Sequence, residues 1–124
     1  MEWNFEAGVP IYLQLMDGFR QAIARGEYPP GQKLPAVRDL AVEAGVNPNT
    51  MQRALAELER EGLVYSMRTS GRFVTEDANV LETLKKELSD ACFEAMYEKL
   101  TALGMSGMEI REALDRWLLD RAGI

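Results

Sequence analysis

The chain has 124 residues, 47% of them apolar, a formal net charge of -6 and one cysteine, Cys92. That length suits one compact domain or a small domain with an appended element. No run approaches eighteen apolar residues and one cysteine leaves no internal disulfide, so a membrane span and a disulfide scaffold are excluded. Histidine is absent, which removes Ser-His-Asp and Cys-His arrangements and histidine-based zinc sites, and no enzyme activity, metal or cofactor is expected.

The opening Met1-Glu2-Trp3-Asn4 is acidic and lacks an apolar run, so it does not read as a signal peptide. A reducing cytoplasm is the expected setting. Trp3 and Phe5 are expected to pack against the body of the fold or a partner subunit. Ile11, Leu15, Phe19, Ala22 and Ile23 then make the apolar stripe of a first helix that should stop near Gly26. Glu27 to Lys33, with paired prolines and a glycine, reads as a loop. A second, short helix is expected from about Ala36 to Ala44, burying Val37, Leu40 and Ala41, with Gly45 as a left-handed stop.

From Gly45 to Tyr65 the chain reads GVNPNTMQRALAELEREGLVY, a turn, a helix and the start of a strand without a spare residue. Asn47 can cap the first amides, Pro48 suits the first helical position, and Met51, Ala54, Leu55 and Leu58 share one face. The opposite face carries Asn49, Thr50, Gln52, Arg53 and Arg60, residue types that bond base edges and phosphates. Gly62 should end this helix. Residues 63–67 and 72–75 read as strands joined by Arg68-Thr69-Ser70-Gly71, a hairpin turn with the needed glycine. Three helices and a terminal hairpin make an α+β winged helix over residues 1–75.

The remaining residues, 76–124, differ in character. Leu81, Leu84, Leu88, Ala91, Cys92, Ala95, Met96, Leu100 and Leu103 outline a long helix with a broad apolar face, which Gly104 stops. Ser106 and Glu109 have capping-box spacing before Ile110, Ala113, Leu114, Trp117 and Leu118, the face of a last helix. Two such helices need a surface to pack on. They can fold back as a cap on the winged helix or, the favoured reading, complete their core with a second subunit. A homodimer would present two recognition helices to a two-fold-related site in double-stranded DNA.

Charge follows the same division. Residues 1–75 hold eight Lys/Arg and nine Asp/Glu, and residues 76–124 hold six and eleven, so the acid is concentrated in the tail. Binding to DNA therefore depends on bringing Lys33, Arg38, Arg53, Arg60, Arg68 and Arg72 toward one surface, and non-specific affinity should be modest and salt-dependent. Catalytic groupings are lacking: Glu57, Glu59 and Glu61 alternate on a helix and do not converge. The tail acids Glu82, Glu87, Asp90, Glu94 and Glu98 read as a solvated face, and there is no Gly-rich phosphate loop.

Pro10-Ile11-Tyr12-Leu13-Gln14, Gly26-Glu27-Tyr28, Pro30 to Ala41, and the stretch from Gly45 through Val74 closely resemble the winged-helix domain of GntR-type transcription regulators over residues 9–75. The short two-helix tail resembles the YtrA-like subfamily, whose members carry a brief dimerisation element in place of a large effector domain. The resemblance implies a bacterial repressor that occupies an inverted-repeat operator as a homodimer, with neighbouring ABC-transporter genes as targets. It also implies DNA contacts from Arg38, from Asn47, Pro48, Asn49, Thr50, Gln52 and Arg53, and from the wing tip Arg68, Thr69, Ser70 and Gly71. Plainer readings stand beside these: a surface ion pair for Arg38, a cap alone for Asn47, a solvated hairpin for the wing. Some relatives carry a basic residue where this chain has Pro48 or Gln52, so those charges are missing here. The dimer contacts would be Leu81, Leu84, Leu88, Cys92, Met96, Leu100, Leu114, Trp117 and Leu118. Two helices cannot enclose an effector, so a small-molecule effector would bind between subunits or between tail and winged helix. The alternative function is a winged helix used only for protein–protein interaction, which the negative charge would suit.

Overall fold

The computed structural model describes residues 1–123; Ile124, the last residue of the expected tail, lies outside them. The elements run α1 (Ile11–Arg25), α2 (Val37–Ala44), α3 (Pro48–Arg60), β1 (Val64–Met67), β2 (Gly71–Val74), α4 (Ala78–Ala102) and α5 (Gly107–Ala122). The fold is α+β, a winged helix followed by two further helices. Two compact units, Met1–Lys85 and Lys86–Ile124, divide the chain, and the division falls inside α4.

In the first unit α3 is central and packs against α1, α2 and β1. Its buried residues Met51, Ala54, Leu55 and Leu58 recur at helical spacing and meet a core that includes Leu15 and Phe19 of α1, Leu40 and Ala41 of α2, and Val64 and Val74 of the hairpin. Burying each large apolar side chain contributes about 1.5–3 kcal/mol, so this face holds α3 in place. Between α2 and α3 the chain turns at Gly45, whose φ of 70° is left-handed; the amide of Val46 donates to the Ala41 carbonyl at 3.0 Å. A Cβ would strain that conformation, and the turn sets the angle between the two helices. Leu84, near the end of this unit, is also buried, and Leu81 is half-buried.

The N-terminal residues form no helix or strand, yet they are pinned to the fold. The Gln14 side chain accepts from the Glu6 amide at 2.8 Å and donates to the carbonyls of Glu6 and Val9 at 3.0 and 2.9 Å. Trp3 lies over Gly18, where a Cβ would come within 2.6 Å of its Cη2, and packs against Phe5 and Phe19 at centroid distances of 5.8 and 5.6 Å. The expected Trp3 contact is therefore made to this chain's own α1.

β1 and β2 pair antiparallel in the register Val64↔Val74 to Met67↔Gly71, with Tyr65 and Phe73 stacked at 5.6 Å. Gly71 opens β2 opposite Met67, so the turn is one residue shorter than the expected four, Arg68 to Ser70. Gln32 and Lys33, the end of the expected loop, and Leu34 after it lie along β2. Val74 donates to the Gln32 carbonyl at 2.9 Å and Leu34 to the Arg72 carbonyl at 2.8 Å. This pairing joins residues about 40 apart in the chain, which local turn signals do not carry.

In the second unit the expected capping box is formed: Ser106 Oγ accepts from the Glu109 amide at 3.2 Å, and the Ser106 amide donates to Glu109 Oε1 at 3.0 Å. Accepting from the Ser106 backbone, and secondarily its side-chain bond, holds the Glu109 carboxyl below the usual carboxylate range. A carboxyl with a lowered folded pKa contributes stability above its unfolded pKa and loses it as pH falls through the folded value. Wild-type chain is thus expected to lose helicity on acidification in the low carboxylate range, and circular dichroism of Glu109→Gln should lack that increment. Identical acid profiles would remove the capping box as its source.

Among the described residues of this unit only Ile110 is buried. Leu88, Met96, Leu100, Ala113 and Leu114 are half-buried, while Cys92, Phe93, Tyr97, Trp117 and Leu118 are exposed. Arg121 covers part of Trp117, with Cζ 4.9 Å from the ring centroid.

Candidate nucleic-acid interface

The N-terminus of α3 is built as a polar helix end. Asn47 is extended, with φ -63° and ψ 135°, and its side-chain oxygen accepts from the Asn49 amide at 2.7 Å; Pro48 follows in the first turn. The cap therefore engages the side-chain oxygen of Asn47 and leaves its NH2 as a donor. Asn49 is exposed and Thr50 half-buried beside it. The macrodipole and the remaining first-turn amides make this end suited to an anion.

The cations of the winged helix sort into two groups. Arg20, Arg25, Arg60 and Arg72 pair with Glu61, Glu27, Glu57 and Glu59 respectively. Among the described residues Lys33, Arg38, Arg53 and Arg68 form no ion pair, and all four are exposed. A surface ion pair, the plainer reading of Arg38 at the second position of α2, is thus not formed. Unneutralised guanidinium groups retain both charge and donors for phosphate or guanine.

Of these free cations Lys33 borders the wing. Lys33, Val37, Ser70, Gly71 and Arg72 line one groove between the start of α2 and the wing, and Lys33 Cε would be 3.1 Å from a Cβ on Gly71. On the other side of the wing, Arg72 Nη1 donates to Gln52 Oε1 of α3 at 3.4 Å. Its Nε lies 3.8 Å from Glu59, too far for a hydrogen bond, and is buried without a partner; Ser66 of β1 also bonds Glu59. Arg72 therefore joins the wing to α3, while Arg60 remains 77% exposed in a surface pair with Glu57 one turn away on the same helix. Arg53 places Cζ 3.7 Å from the centroid of the Tyr12 ring on α1.

The structure thus brings the α3 start, Gln52, Arg53, the wing turn and Lys33 into a connected series, with Arg38 at the α2 start that borders the wing groove. Sequence reading did not single out Tyr12 or the Gln52–Arg72–Glu59–Ser66 contacts for the site. No local pattern carried them, because each contact joins two different elements, over separations from 7 residues for Glu59–Ser66 to 41 for Tyr12–Arg53.

Residues 11–74 match the family model described as bacterial regulatory proteins, gntR family. The chain is 38% identical over 114 residues to the uncharacterized HTH-type transcriptional regulator YhcF of Bacillus subtilis, covering 92% of this chain and 94% of that protein. It is 32% identical over 118 residues to the HTH-type transcriptional repressor YtrA of the same organism, covering 90% and 84%. Among solved structures, a GntR family transcriptional regulator from Listeria monocytogenes superposes with a TM-score of 0.81 at 34% identity, covering 90% of this chain and 98% of that one. AraR(DBD) in complex with operator ORX1 superposes with a TM-score of 0.56 at 30% identity, covering 60% and 96%.

Proposed function

The chain belongs to the gntR family of bacterial regulatory proteins, and from that premise we propose that it is a repressor that binds an inverted-repeat operator as a homodimer. Membership carries the coarser statement: a DNA-binding transcription regulator of YtrA-like type, in a family of regulators rather than enzymes. The observation that supports the finer reading is the charge sorting. The cations left without ion pairs lie on or beside the α2 start, the α3 start and the wing, the parts that a winged helix applies to DNA. In this reading Arg38 and Arg53 bind phosphate or guanine, Asn49 and Gln52 reach bases, and Arg68, Thr69, Ser70 and Gly71 follow the backbone beside the groove. Asn47, Pro48 and Thr50 shape the anion-binding helix end.

Residues 1–75 act as the DNA-binding head and 76–124 as the dimerisation tail. Support for a second subunit comes from the second unit itself, where Trp117 and Phe93 are 54% and 57% exposed and, among the described residues, only Ile110 is buried. Large apolar side chains left exposed on both helices, Phe93 and Tyr97 on α4 and Trp117, Leu118 and Leu119 on α5, favour a surface that a partner covers. Cys92, Trp117 and Leu118 are then interface residues, with Leu88, Met96, Leu100 and Leu114 behind them and Leu81 at the start of α4, whereas Leu84, expected at the interface from its spacing, is already buried within the first unit and offers a partner no surface. A small-molecule effector would sit between subunits, the setting is the bacterial cytoplasm, and resemblance to the YtrA-like group extends the targets to neighbouring transporter genes.

Selection of duplexes from a random pool by the full chain tests the proposal directly: an inverted repeat is expected, and recovery of no enriched sequence would overturn it. On the selected duplex Arg38→Ala should weaken binding by about 1–3 kcal/mol at fixed salt if Arg38 reads a base. Unchanged affinity in that titration would remove Arg38 from the contact surface.

A further inference from the structure

The geometry points to Tyr12 as a positioning residue for DNA binding, holding the Arg53 guanidinium at the start of the recognition helix; this rests on the DNA-binding reading above. Arg53 Cζ lies 3.7 Å from the Tyr12 ring centroid, well inside cation–π range. Tyr12 is half-buried in the first turn of α1, and α1 packs against α3 through fully buried residues that include Leu15, Phe19, Met51 and Leu55, so the ring has a fixed place beside α3. Ile11, Tyr12, Asn49, Thr50 and Arg53 line one shallow depression, which puts the held guanidinium next to the polar end of α3.

The choice of partner matters. A carboxylate would hold Arg53 equally well but would neutralise it, as Glu57 does for Arg60 on the same helix. An aromatic face restrains the guanidinium while leaving its charge and its N–H edges for an incoming phosphate or base. A long side chain that is already restrained loses less rotamer freedom on docking, so part of the cost of binding is removed before DNA arrives. Tyr12 needs no DNA contact of its own for this role. Its influence should pass entirely through Arg53.

The test uses the full chain and a duplex that the wild type selects from a random pool. Tyr12→Leu and Tyr12→Gln are expected to weaken binding about 3- to 10-fold, while Tyr12→Phe, which keeps the ring, stays within about two-fold of wild type. In an Arg53→Gln background the same Tyr12 changes should have no further effect, a coupling that a merely structural role would not produce. Thermal melts establish that each variant is folded. Equal weakening in both backgrounds, a Tyr12→Phe loss as large as that of Tyr12→Leu, or unchanged or tighter binding by Tyr12→Leu would each overturn the inference while leaving DNA binding intact. A wild-type chain that selects no duplex would overturn the DNA-binding reading, and this inference with it.

Discussion

A chain ended after Lys85 is expected to be monomeric and to bind a two-half-site operator about 100- to 10,000-fold more weakly than the full chain. The cut is placed at the end of the first compact unit because Leu84 is 3% exposed, and ending the chain at Thr75 would strip that side chain from the unit. A single winged helix here has few free cations, Lys33, Arg38, Arg53 and Arg68, within a chain of net charge -6. Its own affinity should therefore be modest, and the second half-site would contribute through the high effective concentration that a linked subunit provides. Sedimentation and binding titration on the same selected duplex check both halves of the expectation. A truncated chain that still dimerises would place the interface within residues 1–85, and one that is monomeric but binds as tightly as the full chain would show that the operator is read by one subunit.

Phe19→Ala is expected to cost about 3–5 kcal/mol, a large part of the roughly 5–15 kcal/mol that holds a typical domain together. Phe19 is 1% exposed and joins three parts of the first unit. It packs with Trp3 of the N-terminal segment at 5.6 Å and with Tyr28 of the loop after α1 at 6.1 Å, while α1 itself lies on α3. Truncation would leave a cavity beside α3 and remove the tilted ring contact that holds Trp3 against α1. Urea denaturation should show a lower midpoint with little change in slope. A loss below about 1 kcal/mol would mean that the site collapses around the smaller side chain, contrary to the close packing described.

Much of the fold was legible in the residues because its signals are local. The stripes Leu15, Phe19, Ala22 and Met51, Leu55, Leu58 recur at helical spacing, Asn47-Pro48 and Ser106 with Glu109 mark helix starts, and Gly45 marks a stop. Each depends on residues within a turn or two of one another. The candidate site was legible to the level of its elements: the α2 start, the α3 start and the wing.

Which side chains those elements leave free was a matter of tertiary structure. Arg53 and Arg72 look equivalent in a list of basic residues, yet one covers the Tyr12 ring with its charge intact and the other is drawn between Gln52 and Glu59. Trp3 finds Gly18, and Leu34 finds β2, only once α1 and the hairpin are packed. The sequence by itself determined the helices, the hairpin and the family, because backbone preference and amphipathic period are written in neighbouring residues. The tertiary structure decided which charges are neutralised, which are held ready and which apolar faces are left uncovered, because those properties belong to pairs of residues that only folding brings together.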